Sequence, residues 1–500
     1  MRRLLFVLFF SSFLIAHGFA QLFTEIHSGF HGVMEPVAAW VLNSNEIPDA
    51  FLSGEYYTGN NNYLVSQYSH KISKDRFVPV KSPLPALSRG MAATADYDKD
   101  GDDDIVISGY NKTGQLIMRL YRNEGNHRFY HVKELFTPVS DGSLEWGDFD
   151  HDGDLDILAT GRQYNNLLST VIYRNDKGIF SEYVINVPGI YNGSAKWGDF
   201  DGDNDLDILI TGNVGNKPFT AIYKNDNGHY HKLSQSFYPL KNSDCAWADF
   251  DDDEDLDFII SGEDIDGFPV CMIYTNEEKL FFREMNVAIR GLKNCTIDLA
   301  DYNRDGDIDI LMTGESLERP YTLLYKNNGL FNFENIVTGL PAVSNGTALW
   351  KDYDNDGDQD ILLAGITICY EFIGGIYRNN VNPPKKREEE NNIFITSKIP
   401  PTSVGPFYYY VFSSCYCDPS GDGNPQYHLY ISNIHYEKTD YDLNYKFNDI
   451  LIKTVPNWGK ADRGHRTSNG FLTKSEAVTS RRQVIESYKQ SGFQVHYINW

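Results

Sequence analysis

The sequence predicts an all-β protein: a seven-bladed β-propeller of four-stranded blades, followed by a small α+β domain. Three observations lead there. An acidic nonapeptide occurs six times: DYDKDGDDD at 96–104, DFDHDGDLD at 148–156, DFDGDNDLD at 199–207, DFDDDEDLD at 249–257, DYNRDGDID at 301–309 and DYDNDGDQD at 352–360. The spacings between starts are 52, 51, 50, 52 and 51 residues. Each copy then enters a short apolar run such as IVISG or ILATG, with a glycine thirteen residues after the start: Gly109, Gly161, Gly212, Gly262, Gly314 and Gly365. A Y-x-N tripeptide follows in every period: YRN at 121–123, 173–175 and 377–379, YKN at 223–225 and 325–327, and YTN at 274–276.

A fixed period near fifty residues indicates a repeat architecture. Within it, short β-rich runs alternate with Gly, Asn and Asp turns and no helical periodicity intervenes, so each period reads as four strands. Radial closure hides most of their edges, and a propeller does this. The 33 Tyr and 30 Phe suit strands. One period before the first full copy, WVLNSNEIPDAFLSG aligns Val41, Asn43, Asn45 and Asp49 with the acidic positions and Gly54 with the glycine. This is a seventh, eroded copy that lacks its first carboxylate and is expected to bind nothing. LFTEIHSG at 22–29 matches the segments that precede other blades, such as FYHVKELF at 129–136, whereas the last period lacks a fourth strand. The N-terminal strand is therefore expected to complete the last blade. An open solenoid is the alternative architecture.

The flanking regions differ. Arg2 and Arg3, the apolar run Leu4 to Ile15, and Gly18-Phe19-Ala20 read as a signal peptide over 1–20, with Gln21 opening the mature chain. The expected location is secreted or extracellular, cell surface and periplasm included. The repeat spans 21–380. VNPPKKREEENN makes 381–392 a polar linker, and 393–500 reads as a small α+β domain. Its strands are expected at 407–416, 426–436 and 493–500, with a helix opened by the capping pair Thr473 and Glu476 and stopped at Gly492. Six cysteines are too few for a dense disulfide framework in a chain this long. Something else must stabilise the ring.

The acidic loops supply a reason. Carboxylates at alternate positions, a turn residue at the sixth and a carboxylate at the ninth offer the oxygens a hard cation needs. The candidate ligands are Asp96, Asp98, Asp100, Asp102 and Asp104; Asp148, Asp150, Asp152, Asp154 and Asp156; Asp199, Asp201, Asp203, Asp205 and Asp207; Asp249, Asp251, Asp253, Asp255 and Asp257; Asp301, Asn303, Asp305, Asp307 and Asp309; and Asp352, Asp354, Asp356, Asp358 and Asp360. Positions one, three, five and nine would use side chains, and position seven its backbone carbonyl. The ion expected is Ca²⁺, up to six of them, since Mg²⁺ prefers fewer protein ligands. No His/Cys cluster points to zinc or copper. An EF-hand would place Glu at position twelve and continue as a helix, but here Ile107, Ala159, Ile210, Ile260, Met312 and Leu363 occupy that place. Glu254 stands where the turn glycine is usual, which weakens that copy.

The six windows hold 32 Asp and Glu against two basic residues, while the whole chain carries −25, so its acidity is concentrated in these loops. Six dications would bring −25 to −13.

D-x-D-x-D-G-D-x-D followed by an apolar strand at this period resembles the FG-GAP/VCBS repeats of integrin-α-type propellers, over roughly residues 22–380. The resemblance implies Ca²⁺ in the loop joining the first two strands of a blade, on one face of the ring. It implies partners on the opposite face or the rim. That face would carry the aromatic and polar turns GEYYTGNNN at 54–62, GRQYNNLLS at 161–169, GEDIDGFP at 262–269 and GESLERPY at 314–321. Sequons stand at Asn111, Asn192, Asn294 and Asn345. Catalytic motifs such as H-E-x-x-H, G-x-S-x-G and the P-loop are absent, and the negative charge opposes nucleic acid as a partner. The function expected is an extracellular binding or adhesion module for a protein or glycan, not an enzyme. The alternative is a lyase-like polysaccharide-acting enzyme or its carbohydrate-binding accessory.

Overall fold

A computed structural model describes residues 22–381 apart from 44–47, 59–60, 133–135, 278, 280 and 330. Beyond 381 it describes six strands and scattered helical residues between 481 and 489. The signal segment, the linker and the Thr473–Glu476 cap lie outside the described residues.

Seven four-stranded antiparallel sheets form the ring. In the third blade, Leu144–Gly147, Asp156–Arg162, Leu168–Asp176 and Ile179–Tyr183 follow one another as neighbours. The acidic loop joins its first two strands, and the Y-x-N tripeptide ends its third. The eroded copy builds a full first blade: Met34–Leu42, Pro48–Thr58, Asn61–Ser73 and Arg76–Val80. The last blade holds Ser344–Lys351, Asp360–Ile366 and Phe372–Asn379. Its outer strand is Phe23–Ile26, with Phe23 opposite Asn379 and Ile26 opposite Ile376. Closure by the N-terminal strand is thus observed, and the solenoid is excluded. Pairing the first and last strands of the repeat region within one sheet removes the seam at which a ring would open.

The second strand of each blade is sandwiched on both faces, so it reads as an unbroken apolar run rather than an alternation. Ile157, Leu158 and Ala159 are all fully buried. The glycine that ends this run crosses under the first strand. A Cβ on Gly161, whose φ is +145°, would stand 2.6 Å from the Ser140 carbonyl oxygen. Only glycine fits both the backbone and the space.

Adjacent blades are joined by stacked rings. The aromatic residue at loop position two lies beneath a Trp of the next blade: Tyr97 and Trp146 at 5.9 Å, Phe149 and Trp197 at 6.3 Å, Phe200 and Trp247 at 6.3 Å, and Tyr302 and Trp350 at 6.1 Å. Trp40 of the first blade stacks on Tyr353 of the last at 6.2 Å, repeating the contact across the closure. Each pair contributes about 0.5–1.5 kcal/mol beyond its buried area.

In the C-terminal region, Phe407–Tyr409 pairs with His435–Glu437. Arg466–Thr467, Val411–Cys417, Gln426–Ser432 and Gln494–Ile498 form a second sheet in that order. Among the described residues, no helix is long and apolar enough to cross a membrane. Cys245, Cys271, Cys295 and Cys369 are free thiols.

Candidate metal centres on one face of the ring

Each acidic loop is folded by its own backbone. One oxygen of the position-one Asp accepts the N–H of position six: Gly101 to Asp96 at 2.9 Å, Gly153 to Asp148 at 3.0 Å and Gly357 to Asp352 at 2.8 Å. Position five accepts the N–H of position seven, as Asp154 donates to Asp152 at 2.9 Å. These turns curl the loop so that its remaining oxygens converge. Single oxygens from Asp96, Asp98 and Asp104 lie within 4.8 Å of one another. The same holds for Asp148, Asp150 and Asp156, for Asp199, Asp201 and Asp203, and for Asp249, Asp251 and Asp257.

Several of these oxygens are buried without a hydrogen-bond donor: Oδ1 of Asp148, Asp150, Asp201, Asp251 and Asp352. An unpartnered buried carboxylate oxygen is costly. Several such oxygens, held close together on hard carboxylate donors, suit a hard cation. The loops could therefore hold metal ions.

The ninth position is the anchor. Asp104, Asp156, Asp207, Asp257, Asp309 and Asp360 are fully buried. Each accepts two backbone N–H groups. Phe149 donates to Asp156 at 3.1 Å and Asn175 to its other oxygen at 2.7 Å; Tyr302 and Asn327 do the same for Asp309 at 3.1 and 2.8 Å. The second donor is the Asn of Y-x-N, so that tripeptide belongs to the loop's support. Its side chain continues across the ring. Nδ2 of Asn327 reaches the Phe250 carbonyl in the preceding blade at 2.8 Å, and Asn276 and Asn379 reach Phe200 and Tyr302 at 2.8 and 2.9 Å. Within the sequence, Y-x-N marks only a strand end. Its recurrence beside every acidic loop was the signal for this role.

The middle residue of Y-x-N supplies a counter-charge. Arg174 Nε lies 2.8 Å from Asp150, Lys326 Nζ 2.8 Å from Asp305, and Lys224 Nζ pairs with Asp201. The fifth blade has Thr275 there, and burial together with Asp253 pushes Asp251 up to about 6. In the third blade position seven turns its side chain outward: Asp154 accepts Lys99 of the preceding blade's loop at 3.1 Å and the Lys177 N–H at 2.9 Å, whereas Asp102 and Asp358 at the same position are buried. Asn303 is buried, and its Oδ1 accepts the Asp305 N–H at 2.9 Å.

Glu254 does not break its loop. It adopts φ +68° and donates its N–H to Asp249 at 2.8 Å, as glycine does elsewhere. The geometry is kept at the expense of a left-handed backbone under a side chain. Glu254→Gly is expected to stabilise the fold by about 1 kcal/mol, read as a higher denaturation midpoint at unchanged m-value.

Burial raises the ninth carboxylates, to about 8 at Asp104, Asp309 and Asp360 and about 7 at Asp156, Asp207 and Asp257. In the ion-free chain this protonated form stabilises the fold. That contribution is complete below about pH 4 and is lost as pH rises through 7 and 8. Chelated protein should therefore melt lower at pH 8.5 than at pH 6. Excess divalent ion should narrow the gap, because it favours the ionised carboxylates. An unchanged or inverted gap in scanning calorimetry would contradict this.

The opposite face is built differently. First strands line the axis, and each has a residue in the left-handed region near its start (within the strand in six blades, just before it in the third): Glu35, Arg89, Asp141, Asn192, Asn242, Asn294 and Asn345, with φ between 41° and 55°. Glu35, Arg89, Asp141, Asn294 and Asn345 line one cavity of about 260 Å³. Arg89 pairs with Asp141 at 2.6 Å, and Asn192 Nδ2 donates to Asn242 at 2.9 Å. Three of the four sequon asparagines thus stand in this ring. The fourth, Asn111, accepts the Thr113 and Gln115 N–H groups at a turn. Turns between second and third strands share this face and expose Tyr164 and Tyr370, and Tyr63 is exposed near the start of the first blade's third strand.

The first blade has no acidic loop, but it brings together groups that no local motif announced. Asp49, His70 and His127 converge, with one candidate ligand atom from each within 4.8 Å of the others. The three residues lie 21 and 57 positions apart along the chain, so no local spacing marks them as a cluster.

A family model for FG-GAP-like repeats matches residues 96–159 and 301–363, each span containing two acidic loops. This chain is an FG-GAP β-propeller. No curated protein matches the sequence of this FG-GAP propeller. Among solved structures, a mutant of AofleA from Arthrobotrys oligospora is 11% identical, covering 63% of this chain and 90% of that one, at a TM-score of 0.39. The Aleuria aurantia lectin in complex with α-methyl-L-fucoside is 10% identical over 59% and 96%, at 0.35. The Penicillium chrysogenum α-L-arabinanase with arabinobiose is 12% identical over 72% and 97%, at 0.37.

Proposed function

We propose that this FG-GAP propeller is a secreted, calcium-stabilised binding module that engages a glycan on the face opposite its acidic loops. Secretion rests on the leader-like segment at 1–20. Calcium is favoured because the converging donors are all hard oxygens in a compact loop.

The observation that carries the reading is the ring of polar residues held in left-handed backbone around the axial cavity. Such strain gathers where a surface is shaped for a ligand. Carboxamides offer two donors and an acceptor in one plane, and Arg89, Asp141 and Glu35 add charge. The exposed tyrosines nearby give apolar faces with polar tips. A hydroxyl-rich ligand matches that mixture. The metal loops then hold the blades in register.

The test is binding of the calcium-loaded chain to immobilised glycans, with and without chelator, beside a turnover assay on the sugars that bind. Expected are chelator-sensitive binding without product and loss of binding in Arg89→Ala/Asn294→Ala. Shortened or unsaturated sugars would move the assignment to a polysaccharide-acting enzyme. Binding only to proteins, or retention of glycan binding by the double variant, would overturn the proposed glycan site.

A further inference from the structure

The eroded blade has lost the hard-oxygen loop, and its anchor carboxylate has acquired other partners. Asp49 faces Val41 across the first hairpin as Asp156 faces Gly147 in the third blade. It is fully buried, and its Oδ1 accepts the Lys71 N–H at 3.2 Å, as Asp156 accepts that of Asn175. His70 therefore occupies the place of Arg174, Lys224 and Lys326, the residues that elsewhere reach into the acidic loop. Its Nδ1 lies 2.8 Å from Asp49 Oδ1.

The second imidazole comes from the neighbouring blade. His127 sits just beyond the Y-x-N of the second blade, and its Nδ1 lies 3.1 Å from Asp49 Oδ2. The two rings are 4.2 Å apart between centroids. Both are largely covered, with 28% and 22% of the side chain exposed, so solvent still has access. Tyr68 donates its hydroxyl to Asp49 Oδ2 at 2.9 Å and fixes the carboxylate from below.

We propose that Asp49, His70 and His127 form a site for one borderline divalent transition metal ion of the Zn²⁺ class. Two imidazole nitrogens and a carboxylate oxygen are the donor types such ions take, and three protein ligands leave a position open. Calcium is disfavoured by the nitrogens. The ion would join the first blade to the second, so the blade that lost its hard-cation loop would still be cross-linked by metal.

The experiment is a Co²⁺ titration of the full chain, with and without excess Ca²⁺, followed by visible d–d absorption and then displacement with Zn²⁺. With excess Ca²⁺ occupying the acidic loops, a single equivalent of Co²⁺ is expected to bind and give the bands; without Ca²⁺ further equivalents are expected to enter the loops. His70→Gln and His127→Gln should each weaken the single-equivalent binding by about tenfold or more, and the double variant should abolish the bands. His229→Gln, at an exposed histidine of the fourth blade, should leave them unchanged. Should a histidine variant fail to fold, diethylpyrocarbonate labelling of the unaltered chain decides: Zn²⁺ should protect His70 and His127 and leave surface histidines reactive. Absence of the bands at millimolar Co²⁺, undiminished bands in the double variant, or labelling of both histidines indifferent to Zn²⁺ would each overturn the site.

Discussion

Stripping divalent ions at pH 8 is expected to lower the melting temperature of this propeller by at least about 10 °C. By mass action, an ion present at a hundredfold excess over its dissociation constant stabilises a fold by about 2.7 kcal/mol. Six filled loops would supply about 15 kcal/mol, and a ring of this size shifts by roughly 1–2 °C per kcal/mol, so even half occupancy reaches that figure. The charge argument points the same way. Without ions the six windows leave 32 acidic residues facing one another with only a few basic partners, and the chain stands at −25. Unpartnered oxygens such as Asp148 Oδ1 and Asp352 Oδ1 then carry their desolvation uncompensated. Calorimetry before and after chelation, with elemental analysis of the released metal, measures both halves. An unchanged melting temperature with no calcium recovered would sink the assignment of the loops.

Asn327→Ala is expected to destabilise the calcium-loaded ring by about 3 kcal/mol. Asn327 is fully buried. Its Nδ2 donates to the Phe250 carbonyl of the preceding blade at 2.8 Å, and its Oδ1 accepts the Gly329 N–H at 3.0 Å. Alanine leaves a buried carbonyl and an N–H without partners, and each orphan costs about 1–3 kcal/mol. Asn327→Asp should be worse, since it swaps the donor for a charge beside the buried Asp309. The neighbouring Asn328 is exposed, and Asn328→Ala should stay within about 0.5 kcal/mol. Urea unfolding of the three variants in calcium buffer tests the contrast. Equal midpoints for Asn327→Ala and Asn328→Ala would remove the interblade role of Y-x-N.

Sequence alone determined the ring. A fifty-residue period, a glycine at fixed offset and a spare strand at the N-terminus specify blade number, strand number and closure, because each is written in local pattern and repeated. The acidic loops were legible for the same reason: their candidate ligands lie within nine consecutive residues. Only tertiary structure decided what joins distant residues. Asn327 and Phe250 are 77 apart, His70 and His127 are 57 apart, and the seven left-handed residues of the axial mouth come one from each blade. Radial packing brings equivalent positions of successive repeats side by side. A contact made by that packing leaves no spacing in the chain that a local motif could reveal.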